Sequence, residues 1–192
     1  MSPNMPTSLL TLSGSSATGC CAIQLAKLAG LKVIAVIDMA RSGDRVLKYG
    51  ADMLVDRLDT ERAISVIEGV TKGKLRFALD TQGRESATLL ARLLEGEGRS
   101  HLVGLVGLPK KPTAGVTYHS VPIKLFHEAP VVGENMTLWL EDLLDKDLLS
   151  TPEIEIADGG LKGINAALDK LRTGVINGPR IVVPLESFTK KK

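Results

Sequence analysis

The chain has few aromatic residues and no long apolar run. Aromatic residues make up 3% of its 192 residues, so its core must be built from Leu, Ile, Val and Ala, which is typical of parallel α/β sheets. No apolar stretch approaches the roughly 20 residues that span a bilayer, and the N-terminus lacks a basic-then-apolar signal pattern. We therefore expect a cytoplasmic protein without a membrane segment.

An excess of charge of one sign is also missing. The formal net charge is +2, and the basic residues are scattered apart from the tail Lys190, Lys191 and Lys192. This distribution argues against nucleic acid and membranes as partners. The only cysteines, Cys20 and Cys21, are adjacent in a predicted helix, which suits reduced thiols better than a disulfide framework.

Short apolar runs alternate with amphipathic segments from Leu9 onward, the pattern of βα units around a parallel sheet. The apolar runs predict strands at residues 9–13, 33–37, 53–55, 77–79 and 102–105. Helices are predicted before Gly30 and at residues 41–50, 60–70 and 85–94. We expect a Rossmann fold, a doubly wound parallel sheet of about six strands. Residues 1–192 are expected to form one such domain, less regular over residues 110–158.

The second half of the chain gives weaker patterns. Residues 116–121 predict an extended edge segment, and residues 136–149 predict an amphipathic helix that carries the only tryptophan, Trp139. Residues 161–171 predict a last helix. The apolar run at 181–185 is expected to close the sheet as its sixth strand.

The most informative stretch joins the first predicted strand to the first helix. It reads Ser13-Gly14-Ser15-Ser16-Ala17-Thr18-Gly19. Gly14 and Gly19 hold the outer positions of a G-x-G-x-x-G pattern, and Ser16 replaces the middle glycine. A turn here directs backbone N–H groups and the positive end of a helix dipole at one spot, which suits a pyrophosphate. The alternative is a tight connection that binds nothing.

Two residues after the second strand bear on the cofactor. Asp38 follows Gly19 by 19 residues and is suited to accept hydrogen bonds from an adenosine ribose, which favours NAD because its charge repels a 2′-phosphate. It is equally suited to cap the next helix. Arg41 would pair with the 2′-phosphate of NADP if Asp38 turned away. The residues therefore leave NAD and NADP open.

Several motifs follow the turn in a fixed order. They are AIQLAKLAG at 22–30, VIAV at 33–36, the triplet Gly50-Ala51-Asp52, LRFALD at 75–80 and GPRIVV at 178–183. With these motifs the sequence resembles the medium-chain dehydrogenase/reductase superfamily over residues 9–185. The resemblance is to the zinc-independent, quinone oxidoreductase and fungal trans-enoyl reductase-like branch.

The resemblance implies NAD or NADP as cofactor and hydride transfer to an enone, quinone or enoyl thioester. It implies that the pyrophosphate is lined by Ser15, Ser16, Ala17 and Thr18. It also implies that the rest of the cofactor lies near Thr81, Gln82, Gly104, Leu105 and Val106. Members of this superfamily carry an N-terminal GroES-like domain with most of the catalytic groups.

The sequence begins at the first Rossmann strand, so we expect that the GroES-like domain is absent and we assign no catalytic residue. The alternative function is a truncated, non-catalytic module for nucleotide binding or protein interaction.

Other catalytic constellations find little support. His101, His119 and His127 are dispersed in sequence, so no zinc site is expected. His127 is a candidate base, but such a histidine is more often a loop or surface residue. The leucine-rich helix around Trp139 and the edge segment at 116–121 predict a surface for a homodimer.

Overall fold

The computed structural model describes residues 8–12, 14–95, 99–122, 124–176 and 178–184. The chain divides into two compact units, Met1–Ser150 and Thr151–Lys192. None of the helices in the described ranges combines the length and the apolar character that a membrane span requires.

Six parallel strands form the sheet of the first unit. They are β1 (Ser8–Leu12), β2 (Lys32–Ile37), β3 (Met53–Asp56), β4 (Phe77–Asp80), β5 (Ser100–Gly104) and β6 (Val116–Ser120). Their order across the sheet is β3-β2-β1-β4-β5-β6, and every neighbouring pair is parallel. The chain thus winds outward from β1 in one direction and then from β4 in the other. The doubly wound sheet predicted from the sequence is confirmed.

Four helices connect β1 to β5 and cover the sheet: α1 (Ala17–Leu28), α2 (Met39–Lys48), α3 (Thr60–Thr71) and α4 (Arg84–Leu93). Two more helices, α5 (Leu125–Glu128) and α6 (Pro130–Asp145), follow β6. Alternate residues of β2 belong to two separate clusters of buried side chains: Ala35 packs with Ile23 of α1, and Ile34 packs with Ile67 of α3. Both faces of the central strands are therefore buried, which explains their continuous apolar sequence.

The sixth strand of the sheet differs from the prediction. β6, expected only as an edge segment, pairs with β5 and completes the sheet. The run at 181–185 was expected to close the sheet, and this prediction was wrong: its described part contributes β8 (Arg180–Val182), which belongs to a separate two-stranded sheet. Leu185 lies outside the described residues. An apolar run indicates that a strand forms, but it does not specify the neighbour with which that strand pairs.

The second unit is a βαβ arrangement. The strand β7 (Ile154–Ile156), which the sequence did not predict, pairs in parallel with β8, and α7 (Gly160–Arg172) lies between them in the chain. Two backbone hydrogen bonds lie at the ends of the β7–β8 pair. The Arg180 amide donates to the Glu153 carbonyl at 2.8 Å, and the Ala157 amide donates to the Val182 carbonyl at 2.9 Å.

Helix α6 starts six residues before the predicted position and ends four residues earlier. Its first residue is Pro130, a residue favoured at the first helical position because its missing N–H needs no partner there. Leu143 is buried, whereas about half of the Trp139 surface is exposed. The predicted apolar stripe is therefore only partly used in packing.

Candidate functional site

The predicted site residues follow the carboxyl ends of four neighbouring strands. Asp38 and Arg41 follow β2, residues 14–18 follow β1, Thr81 and Gln82 follow β4, and Gly104, Leu105 and Val106 lie at the end of β5. β1 and β4 are adjacent, and their connections leave toward opposite sides of the sheet. This is a topological switch point, where open α/β sheets form a crevice for ligands.

The turn after β1 passes into α1 through Ser16. The Ser16 backbone is extended, with φ −71° and ψ 160°, and its Oγ accepts a hydrogen bond from the Gly19 amide at 3.0 Å. Ser16 is therefore the N-cap of α1. Such a backbone needs no glycine, which explains why serine occupies the middle position of the glycine pattern. Ser13 lies outside the described residues.

Gly14 lies in a closely packed part of this turn. A Cβ atom added there would lie 3.1 Å from the Cβ of Ala35 and 3.4 Å from the Cδ1 of Ile23. The turn therefore lies directly against β2 and α1.

The N-terminus of α1 is suited to an anion. Its first turn has no acidic side chain, and Thr18 in that turn is exposed. The first amides of a helix have no partner within it, and the helix dipole is positive at this end. The Gly19 amide already donates to the Ser16 Oγ, so the amides of Ala17 and Thr18 are the helix donors that would contact a pyrophosphate.

Asp38 is the N-cap of α2. Its Oδ1 accepts a hydrogen bond from the Arg41 amide at 3.2 Å, and its Oδ2 lies 4.0 Å from the Arg41 Nε. The side chain of Asp38 is 13% exposed, whereas that of Arg41 is 63% exposed. The capping alternative is therefore confirmed, and the more accessible charge at this strand end is that of Arg41.

Asp80, at the end of β4, is a polar residue that the sequence reasoning missed. It is fully buried, and its Oδ1 accepts hydrogen bonds from the amides of Gln82 at 3.0 Å and Gly83 at 2.7 Å. Its Oδ2 is buried without a hydrogen-bond partner among the described residues. The signal in the sequence that could have identified this residue is its place as a single acid directly after the apolar run 77–79.

The chain turns back sharply after β5. A Cβ atom on Gly104 would lie 2.5 Å from the carbonyl oxygen of Gly107, so only glycine fits. The amide of Leu105 donates to the carbonyl of Asp80 at 3.0 Å, and Val106 is 68% exposed. The loops after β4 and β5 therefore lie side by side.

An open cleft of about 660 Å³ lies beside the loop after β4. Its lining includes Arg57 and Thr60 from the start of the α3 segment and Gln82 and Gly83 from the loop. The Arg57 amide donates to the Ile37 carbonyl at 2.8 Å, so one wall of the cleft is attached to the end of β2. The cleft has room for one end of an elongated ligand at this edge of the sheet.

The three histidines are not all dispersed. His101 of β5 and His119 of β6 are neighbours, with Nδ1 and Nε2 3.0 Å apart, whereas His127 is exposed on α5 with its ring edge-on to Phe126. No group of three or more metal-ligating side chains occurs within the described ranges.

Comparison with known proteins agrees with this geometry. Residues 17–141 match the family described as zinc-binding dehydrogenase. A trans-enoyl reductase of Chaetomium globosum is 31% identical over 94% of this chain and 53% of its own length. Two solved structures share the fold, and each is covered by the chain over only part of its length.

One of these structures is Escherichia coli quinone oxidoreductase complexed with NADPH, with a TM-score of 0.73, 19% identity, and coverage of 93% of this chain and 58% of that one. The other is the mitochondrial 2-enoyl thioester reductase heterodimer of Candida tropicalis, with a TM-score of 0.69, 16% identity, and coverage of 93% and 55%. The chain spans about half the length of the curated relatives it matches.

Proposed function

The chain belongs to the zinc-binding dehydrogenase family of the medium-chain dehydrogenase/reductase superfamily, and from this we propose that it binds a nicotinamide dinucleotide at the switch point between β1 and β4. The observation that carries the proposal is the N-terminus of α1, which has a capping serine, a packed glycine and no acid in its first turn. These features leave amides and a positive dipole for a pyrophosphate.

The proposed path of the cofactor follows the strand ends. The pyrophosphate lies against Ser15, Ser16, Ala17 and Thr18. The adenosine ribose lies near Asp38, with Thr81 and Gln82 beside the cofactor, and the nicotinamide approaches Gly104, Leu105 and Val106. Support comes from the adjacency of the loops after β4 and β5 and from the cleft attached to the end of β2.

For the choice of cofactor we propose NADP(H). The carboxylate of Asp38 is engaged in capping α2 and is largely covered, so its hydrogen-bonding capacity toward a ribose is reduced. The guanidinium of Arg41 is exposed beside it, and Arg57 lines the adjacent cleft. Planar guanidinium groups suit a 2′-phosphate. The similar Escherichia coli enzyme is complexed with NADPH.

The reaction that we propose is hydride transfer from the reduced nicotinamide to an enone, quinone or enoyl thioester. Quinones and enoyl thioesters are the substrate types that the names of the similar reductases indicate. The alternative, a nucleotide-binding or protein-interaction module without turnover, predicts binding of the cofactor but no oxidation of NADPH with a panel of quinones, enones and enoyl thioesters. Turnover by the purified chain would exclude this alternative.

Binding is tested by titrating NADPH and NADH into the purified chain, with nicotinamide fluorescence and calorimetry as readouts. Thr18→Asp provides a selective control because an acid in the first turn stabilises a helix by about 0.3–1 kcal/mol but repels a pyrophosphate. We expect Thr18→Asp to weaken binding at least tenfold at an unchanged or higher melting temperature. Thr18→Asn introduces a side chain that is similar in shape to aspartate but uncharged, and this variant should bind NADPH like the wild type. Failure of the wild type to bind at millimolar concentration would refute the proposal.

A homodimer is a further part of the proposal. β6 is the last strand of the sheet, and the exposed Leu138 and Trp139 of α6 add apolar surface. Sedimentation analysis of the purified chain tests this. A cytoplasmic location is also proposed, supported by the adjacent positions of Cys20 and Cys21 in α1, which do not suit a disulfide framework.

A further inference from the structure

A side chain of α2 contacts the turn that precedes α1. The Nη2 of Arg45 donates one hydrogen bond to the backbone carbonyl of Ser15 at 3.1 Å and lies 3.2 Å from the Oγ of Ser42, to which it also donates. Ser15 and Arg45 are 30 residues apart in sequence. The contact joins the turn after β1 to the helix that follows β2.

The carbonyls of Gly14, Ser15 and Ser16 in this turn each accept a hydrogen bond from the protein. The Gly14 carbonyl accepts from the Cys20 thiol at 3.4 Å, and the Ser16 carbonyl accepts from the Cys20 amide at 2.8 Å. The Ser15 carbonyl accepts from Arg45. Of these three bonds, only the one from Arg45 comes from outside α1.

The direction of these carbonyls matters for an anion. A carbonyl oxygen carries partial negative charge, so a turn that binds a pyrophosphate must present its N–H groups and turn its C=O groups away. The Ser16 carbonyl bond belongs to the first turn of α1, and the Gly14 carbonyl bond comes from a side chain of the same helix. The Ser15 carbonyl depends on a donor that must be brought to it by the tertiary fold.

Arg45 is held firmly enough to act as that donor. Its partner Ser42 is 2% exposed, and Val46 of the same helix is fully buried against the sheet. The N-terminus of α2 is fixed by the Asp38 cap. Arg45 therefore links the orientation of the turn to the end of β2.

We infer that Arg45 is a positioning residue for the dinucleotide: its guanidinium holds the Ser15 carbonyl away from the pyrophosphate, so that the amides of the turn face the ligand. The inference rests on the proposed function. The donor is a cationic guanidinium, so this bond is charge-assisted. Loss of such a bond is typically equivalent to about a tenfold change in an equilibrium constant.

The test compares Arg45→Met with the wild type by titration with NADPH, NADH and 2′-AMP. We expect NADPH and NADH to bind about tenfold more weakly, and by similar factors, because both contain the pyrophosphate. The affinity for 2′-AMP, which lacks a pyrophosphate, should not change. A general loosening of the fold would weaken all three ligands together. Arg92→Met, which removes an exposed arginine in the last turn of α4, is the matched control and should bind like the wild type.

Two further variants cover the case in which Arg45→Met does not fold. Arg45→Lys keeps the charge but replaces the planar guanidinium by a more flexible and more strongly hydrated ammonium, and Ser42→Ala removes one anchor of the guanidinium; we expect both to weaken NADPH binding about threefold. Wild-type affinity in all three variants, or equal weakening of 2′-AMP, would overturn the inference and leave the proposed function intact. Failure of the wild type to bind any dinucleotide would refute the proposed function and this inference with it.

Discussion

The ammonium group of Lys27 lies 2.9 Å and 2.8 Å from the two carboxylate oxygens of Asp52. Lys27 belongs to α1, and Asp52 lies just before β3. The Oδ2 of Asp52 also accepts a hydrogen bond from the Val33 amide at 2.7 Å, at the start of β2. The carboxylate of Asp52 thus connects the segment before β3 with the start of β2 and with α1, the helix that carries the proposed pyrophosphate site.

This ion pair predicts a pH-dependent contribution to stability. Burial acts to raise the pKa of Asp52, but the hydrogen bonds from Lys27 and Val33 outweigh it and leave the pKa below its ordinary value of 3.8. A lowered folded-state pKa stabilises the protein above the unfolded value, and that contribution is lost as the pH falls below 3.8 through the folded-state pKa.

We expect Asp52→Asn to lower the free energy of unfolding by about 1 kcal/mol at pH 7, because the pair is partly exposed and screened by solvent. The difference from the wild type should shrink below pH 3.8 in urea titrations at several pH values. Asp142→Asn is the matched control, since its pair with Lys146 is more than half exposed and should contribute less than about 0.5 kcal/mol. A difference that does not vary with pH would contradict this account.

Glycine to alanine changes should have opposite signs at two positions. In Gly14→Ala the new Cβ would lie 3.1 Å from the Cβ of Ala35, and we expect a loss of about 1–3 kcal/mol from overpacking. Gly69 lies within α3 with no atom within 4 Å of an added Cβ, so Gly69→Ala should gain about 0.5–1 kcal/mol from helix propensity. Thermal unfolding of both variants measures the difference. A Gly14→Ala variant as stable as the wild type would show that the turn is not closely packed.

The sequence predicted the core of the fold because its signals are local. The runs that became β1 to β5 are short, apolar and bounded by glycine or polar residues, and each helix between them has an apolar face. The sixth strand of the sheet is β6 and not the run at 181–185. Which of the two joins the sheet depends on contacts between segments that are distant in the sequence. Nothing in either run specifies its neighbour.

The candidate site was predictable to a similar extent. The glycine turn and Asp38 stand out because they follow apolar runs at the spacing of a βαβ unit. The cap of Asp38 is also local, since it involves the amide three residues ahead. Arg45 and the buried role of Asp80 were not found, because one acts on a turn 30 residues away and the other is defined by its burial.

Asp80 predicts a stability effect located in the loop after β4. Asp80→Ala removes the buried acceptor of two amides, those of Gln82 and Gly83, and leaves both without that partner in a partly buried turn. We expect a loss of about 2–4 kcal/mol in urea unfolding. Asp80→Asn retains one acceptor oxygen and should lose less than Asp80→Ala. Equal losses in both variants would mean that the charge, rather than the two hydrogen bonds, matters at this position.

Asp38 predicts how cofactor preference can be separated from stability. Asparagine is as good an N-cap as aspartate, so Asp38→Asn should retain the bond to the Arg41 amide and the melting temperature of the wild type. It removes a negative charge next to the proposed 2′-phosphate, so the ratio of NADPH to NADH affinity should rise by about three- to tenfold.

Asp38→Ala removes the cap and the charge together, so it should raise the same ratio while destabilising the protein by about 1 kcal/mol. Arg41→Met should lower the ratio, because the group proposed to meet the phosphate is lost. If the ratio is unchanged in Asp38→Asn and in Arg41→Met, the 2′-position of the ribose does not lie at the end of β2.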